Sequence, residues 1–538
     1  MKKILLFLFL LNGLLVSAQV TLTSSNLPII SINTNGQTIP DDPKIDATMG
    51  IIFNGDGVRN NITDPFNEFN GKIGIEVRGQ SSQMFPMKSY SIEIRDSSDN
   101  DVDQSIFGLP KQSDWVLYAP YTDKTLMRNF LAYTMSNSLG HWAAHCKFVE
   151  VLLNGNYIGV YVFMEKIKKD KGRVNITKMG GGDSTGNNVT GGYIFSIDKD
   201  ANAWYSSYTP PNAPGASIQY SYVYPKPEDI IPQQEVYIKS YVDSFENAIA
   251  ASNFQDTLNG FRKFADENSF IDYFIVNEIS RNVDGYRLSS YFYKDRNSVN
   301  SKIYAGPVWD YDLAFRNANY CNGSNIDGWA YQFNNICSGD FWQIPFWWNR
   351  FMQDTLFKSD LLCRWKDVRT NVLSNDNINN WIDSIYTLVG EAQVRHFTQW
   401  PVLGIYIWPN PDPIPTSYAD EISTLKTWVA NRLTWIDNNL PETGKCAVPD
   451  TASNNTFDMH VWPNPVANPL TLSITSDKEQ IAQIVIVNFA GQKILTDTKN
   501  LIQGVNEFNY STASWSGGIY LIKAILQDGT TRSIKLKK

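Results

Sequence analysis

The sequence predicts an α+β protein: a β-rich first lobe, a mainly helical second lobe, and a small C-terminal β-sandwich. Three observations predict it. Period-2 apolar alternation dominates residues 72–166, stripes of 3.6-residue period take over from Pro232, and short alternating strands follow a small polar stretch beginning at Pro449. With 538 residues, 43% of them hydrophobic and 13% aromatic, the chain can fill a substantial core. A net charge of −8 and a pI near 5.2 argue against a broad electropositive surface, so nucleic acid is a poor partner.

The elements follow in chain order. Lys2 and Lys3, an apolar run from Ile4 to Leu11, and the small residues Ser17 and Ala18 read as a cleavable secretory signal over residues 1–18. That run is shorter than the roughly 20 residues a bilayer span needs, and no later segment qualifies, so the mature chain is expected to lack a transmembrane segment. Residues 19–70 read as a β-rich opening segment, with strands at 29–33 and 50–53, packed on the main domain. Strands are then predicted at 73–77, 90–94 and 115–118, and a helix at 124–139 with Leu126, Phe130, Leu131 and Met135 on one stripe and Gly140 as its stop. Asn154-Gly155 between two alternating runs signals a tight hairpin. Gly180-Gly181-Gly182 lacks the Lys and Ser/Thr of a phosphate loop and reads as a flexible loop. Helical stripes follow through Ile238, Val242, Phe245 and Ile249, and through Ile271, Phe274, Ile275 and Ile279.

Residues 268–315 carry the chemistry. A helix starting near Ser269 and ending at about Arg281 runs into Asn282-Val283-Asp284-Gly285, and two strands then lead to Trp309-Asp310-Tyr311-Asp312. A hairpin returns its exit close to its entrance, so Asp284 and Asp310 are expected at one site although 26 positions separate them. In kinases one Asp orients the attacking hydroxyl and another, beyond a short hairpin, holds the metal on the phosphates. Carboxylate oxygens are hard ligands that suit Mg²⁺ or Mn²⁺. Asp312 either shares the metal or holds the loop. Arg128 either binds an anion in the cleft or belongs to a buried ion pair.

Other groups read more plainly. Cys321 and Cys337 flank a Gly/Asn-rich loop and are expected to pair, which would stabilise the fold by roughly 3 kcal/mol for a loop of about 15 residues. His141 and His145, at i and i+4, lack a third metal ligand and read as a turn after a helix. The run Trp342, Phe346, Trp347, Trp348 and Phe351 suits carbohydrate stacking, but its helical spacing favours core packing.

Six blocks, "VRGQSSQMFPMKSYSIEI" (77–94), "DKTLMRNFLAY" (123–133), "FVEVLLNGNYIGVYVFMEKIKKDKGRVNI" (148–176), "GGYIFSIDK" (191–199), "NEISRNVDGYRLSSYFYKD" (277–295) and "AGPVWDYDLAF" (305–315), closely resemble the spore coat protein H (CotH) kinase family over residues 71–446. The resemblance implies an atypical protein-kinase-like, two-lobed domain that uses ATP and Mg²⁺ or Mn²⁺ to phosphorylate serine on extracytoplasmic proteins. It implies Asp284 as the catalytic residue, Asp310 at the metal with Asp312 beside it either sharing that metal or holding the loop, and Lys88, Arg78 and Glu165 toward the nucleotide, with Glu165 placed to hold the Lys88 ammonium. No G-x-G-x-x-G loop is present, so residues 78–82 would have to cover the phosphates, and Ser289 stands where ordinary kinases place a metal-binding Asn. A catalytically silent surface scaffold on the same fold is the alternative.

After a linker at 447–457, residues 458–538 resemble the C-terminal sorting domain of the type IX secretion system, through "WPNP", "NFAGQKI" and "GGIYLIKAILQDGTTRSIKLKK", with Trp462 where the family usually has Tyr. That resemblance implies export across both membranes, the secretion machinery as a partner, and a secreted or cell-surface location.

Overall fold

The computed structural model describes residues 20–199, 203–441, 446, 457–463, 466, 468–488, 493–527 and 531–538; the expected secretory signal and nearly all of the expected linker lie outside them. The chain divides into two compact units, Met1–Gly444 and Lys445–Lys538.

Seven strands of the first unit close a barrel in the order Ile29–Asn33, Ile45–Ile52, Phe69–Arg78, Ser89–Arg95, Asp114–Tyr118, Asn156–Glu165 and Cys146–Leu153. Alternation fills it: Ile73, Ile75, Ile92, Trp115, Leu117, Val149 and Phe163 point into one apolar core. The barrel closes where Ile29–Asn33 pairs in parallel with Cys146–Leu153. The opening segment is therefore part of the barrel wall rather than a layer on it, and a boundary after residue 70 would cut the strand Phe69–Arg78. Asn154 and Gly155 take φ of 51° and 79°, the left-handed pair that a two-residue hairpin needs.

The helix expected at 124–139 is shorter, Arg128–Ser138. Leu126 has φ of 65°, which breaks the helical path, and the Asp123 carboxylate accepts the Arg128 N–H at 2.8 Å. The later helix likewise starts earlier than Ser269 suggested: it spans Glu267–Ser280, and the Asp266 carboxylate caps it by accepting the Ser269 N–H at 3.0 Å.

The second region is mostly helical, with Pro232–Ala250, Glu267–Ser280, Thr355–Thr370, Asn375–Leu388, Ala392–Gln399 and Tyr418–Asn439 as its longer helices. It also contains a five-stranded sheet in the order Ala203–Tyr205, Gln219–Tyr224, Tyr193–Ile197, Ser290–Lys294, Ile303–Ala305. Of the aromatic run, Trp347, Trp348 and Phe351 are fully buried, as their helical spacing predicts, whereas Trp342 and Phe346 are only partly buried. Cys321 and Cys337 form the expected disulfide, with Cα atoms 5.6 Å apart.

Helix Ala392–Gln399 is tied to the barrel by a buried histidine. His396 is 1% exposed, and its Nδ1 accepts the Val160 N–H at 3.1 Å. Burial pushes its pKa down from 6.5 to about 3. The unfolded chain therefore binds a proton that the folded chain refuses, so the stability this neutral ring contributes is complete above pH 6.5 and is lost as pH falls toward 3. The shift corresponds to a loss on the order of 5 kcal/mol across that window. His396→Gln should flatten the acid limb of a pH series of denaturation midpoints; an unchanged limb would remove His396 as its cause.

In the second unit, two antiparallel sheets share an apolar core that includes Leu472, Ile484 and Ile522. Among the described residues no helix is long and apolar enough to cross a membrane.

Candidate functional site

A cleft of about 570 Å³ opens between the outer face of the barrel and the helical region. The barrel contributes Arg78, Ser89, Val116, Tyr118 and Met164; the other wall carries Asp198, Asp284, Arg287, Ser289, Trp309, Asp310 and Asp312.

Local structure explains how the two acidic loops meet. Strands Ser290–Lys294 and Ile303–Ala305 pair antiparallel, with Phe292 opposite Ala305, so the loops at either end of this hairpin lie together as the sequence suggested. Asn277, on the buried helix, lies against both. Its Oδ1 accepts the Tyr311 hydroxyl at 3.0 Å, and a Cβ on Gly285 would come 2.4 Å from that same oxygen, so only glycine lets the Asp284 turn approach. The Asp284 N–H donates to Asn282 Oδ1 at 3.1 Å, and Asn282 Nδ2 donates to the Asp310 carbonyl at 3.4 Å.

Asp310 has φ of 65°, a left-handed conformation that costs energy for a non-glycine residue and concentrates at functional sites. Helix Arg128–Ser138 holds it there: the Tyr133 hydroxyl accepts the Asp310 N–H at 3.2 Å, and Asn129 Oδ1 accepts the Tyr311 N–H.

The carboxylates oppose one another. Burial, then the Asp284 charge, pushes the Asp310 carboxyl up to about 6, while Arg78 pulls it down. Asp310 is open to water within the cleft, which moderates the burial contribution. Asp312 is raised well above the carboxylate range by burial and then by Asp310 and Asp284. Among the described residues no three His, Cys, Asp or Glu side chains stand in a ready-made metal-ligating arrangement. The three aspartates thus share a cleft and repel without converging on one point.

The other sequence-predicted residues divide. Arg78 lines the cleft, with its guanidinium 5.5 Å from the Trp309 ring centroid and its Nη1 buried without a hydrogen-bond partner. Lys88 does not line it: it precedes strand Ser89–Arg95, whose first residue Ser89 faces the cleft, and the Lys88 ammonium donates to the Gln83 carbonyl. The expected Lys88–Glu165 pair does not form. Glu165 is buried with His145 Nδ1 at 2.7 Å and Arg173 Nε at 3.4 Å. Arg128 takes the second of its two readings, a buried ion pair with Asp123. His141 pairs with Asp272 at 2.8 Å.

Sequence reasoning gave no role to Asp198, Arg287 or Tyr118. Asp198 follows strand Tyr193–Ile197, whose pairing of Ile197 with Ser290 sets it beside Ser289; the Ser289 hydroxyl lies 3.3 Å from Asp198 Oδ2. Arg287 grips Asp284 Oδ1 at 2.7 Å and Asp340 Oδ1 at 3.2 Å. The Tyr118 hydroxyl is buried in the cleft wall without a hydrogen-bond partner. Its position on a barrel strand beside Val116 was the available signal, because period 2 puts both on the face opposite Trp115 and Leu117.

Comparison with known proteins places a match to the family described as CotH kinase protein at residues 75–436, and a match to the secretion system C-terminal sorting domain at residues 460–536. No curated protein matches the chain.

Proposed function

This chain belongs to the CotH kinase protein family and carries a secretion-system sorting domain, and from that premise we propose that it is an exported phosphotransferase. It moves a phosphoryl group from ATP to serine hydroxyls of extracytoplasmic proteins, with Mg²⁺ or Mn²⁺ required. The observation that carries the reading is the meeting of Asp284, Asp310 and Asp312 with the unpaired Arg78 in one cleft.

The donor set fits these ligands. A buried guanidinium N–H without a partner is costly unless an anion completes it, and arginine suits phosphate oxygens. Mg²⁺ is usually held by one or two carboxylates, with phosphate oxygens and water completing its shell, so three convergent protein ligands are not needed. Asp310 and Asp312 would hold the cation, whose charge relieves their mutual repulsion. Once bound, the nucleotide and cation supply the transferable phosphoryl group and neutralise charge on its oxygens.

Asp284 orients the acceptor. Arg287 occupies its Oδ1, which would leave Oδ2 to accept the hydrogen bond of an incoming serine hydroxyl and take its proton, while the serine oxygen replaces the ADP oxygen on the transferred phosphorus and ADP leaves. Arg78 replaces Lys88 as the phosphate-contacting cation in this scheme, and Glu165 acts in the barrel with Arg173. Asp198 adds a further carboxylate beside Ser289, the residue that stands where ordinary kinases place a metal-binding Asn.

Labelled ATP with Mg²⁺ or Mn²⁺ should place phosphoserine on a serine-rich exported protein, and a chelator should return incorporation to background. Transfer that persists in the chelator would overturn the reading. Nucleotide binding without transfer would favour the silent scaffold.

A further inference from the structure

Trp309 touches partners from two different parts of the unit. The Arg78 guanidinium, at the end of barrel strand Phe69–Arg78, lies 5.5 Å from its ring centroid. Tyr133, on helix Arg128–Ser138, stacks against it with centroids 6.0 Å apart and planes 19° from parallel. Trp309 is 8% exposed and Tyr133 only 1%. The stack ends on the acidic loop itself, because the Tyr133 hydroxyl accepts the N–H of Asp310, the residue in the left-handed conformation.

Arg78 has no hydrogen bond at Nη1 in this setting. An aromatic face attracts a guanidinium without occupying its N–H groups, so the ring orients the cation and leaves its donors for a ligand. A carboxylate in the same place would have consumed them.

We infer that Trp309 is a positioning residue: one stack, Arg78–Trp309–Tyr133, sets both the anion-binding guanidinium and the backbone of Asp310. The identity of the ligands, a polyphosphate and a divalent cation, rests on the phosphotransferase reading; the stack itself does not. Neither task was expected of a tryptophan flanking an acidic turn.

Calorimetric titration of the full chain separates the two ends of the stack. With metal-free tripolyphosphate in chelator, Trp309→Leu should bind roughly tenfold more weakly than wild type, and Trp309→Phe, with its weaker ring quadrupole, roughly threefold. Arg78→Met should lose about as much as the double variant R78M/W309L, because the ring acts through the guanidinium. With Mn²⁺ alone, Tyr133→Phe should weaken binding severalfold while leaving metal-free tripolyphosphate binding unchanged, since it keeps the ring and deletes only the hydroxyl. Additive losses in R78M and W309L, wild-type anion affinity in the Trp309 variants, or wild-type Mn²⁺ affinity in Y133F would each overturn the inference. If W309L fails to fold, W309F decides the anion end. Wild-type protein that binds no tripolyphosphate in chelator overturns this inference and leaves the metal-requiring phosphotransferase reading to its own transfer assay, whereas intact binding and coupling without transfer to any acceptor removes the reading alone.

Discussion

Asp284→Asn is expected to lower phosphate transfer by roughly 10²- to 10⁴-fold, the range typical of losing a positioned general base, while ATP affinity stays within about twofold of wild type. The substitution keeps an oxygen where Arg287 needs an acceptor and removes the charge that draws the serine proton. The turn should survive it. Arg287 also donates to the Val283 carbonyl at 2.7 Å, the Trp342 carbonyl at 3.0 Å and Asp340, so its buried guanidinium keeps partners when Asp284 is neutral. Steady-state kinetics with labelled ATP, alongside nucleotide titration, separates the outcomes. A variant that loses nucleotide affinity as steeply as turnover would mean that Asp284 binds rather than orients. Undiminished transfer would place the base elsewhere in the cleft, where Asp198 is the next carboxylate to test.

The site was legible where local rules settle geometry. A hairpin between two acidic turns fixes their proximity whatever surrounds it, and Asp284 and Asp310 share the cleft for that reason. What failed needed the direction of a single side chain or a non-local pairing. Lys88 lies just before strand Ser89–Arg95, outside the alternation that turns Ser89 to the cleft, and its ammonium goes to the Gln83 carbonyl instead. Arg78 pairs with Ser89 across the ladder, so the same alternation, applied to both strands together, points to the arginine. Asp198 could not be found in this way. Its neighbour across the sheet, Ser289, is some 90 residues distant, and no turn signal links them. The barrel shows the same limit: each of its strands after residue 70 is readable from alternation, but the parallel pairing of Ile29–Asn33 with Cys146–Leu153, which closes it, joins segments separated by a helix and several strands.

Glu278→Ala is expected to destabilise the first unit by about 3–5 kcal/mol, the cost of breaking a buried ion pair from one side. Glu278 is 1% exposed in the helix that ends at the Asp284 turn, and its carboxylate has four partners. Oε2 accepts the Ala330 N–H at 2.8 Å and faces Arg432 Nη2 at 3.1 Å; Oε1 accepts the Tyr331 N–H at 2.9 Å and the Tyr286 hydroxyl at 3.1 Å. Alanine would leave the Ala330 and Tyr331 N–H groups without their acceptor and the Arg432 guanidinium, itself fully buried, without its counter-charge. Glu278→Gln keeps acceptor capacity and should cost about 1–3 kcal/mol. Because Tyr286 sits two residues after Asp284, the damage should reach the site. Denaturant unfolding checks the stability term, and transfer measured on the folded fraction checks the second: if Glu278→Ala unfolds earlier yet its folded molecules transfer phosphate at the wild-type rate, the pair supports the helix and not the catalytic turn.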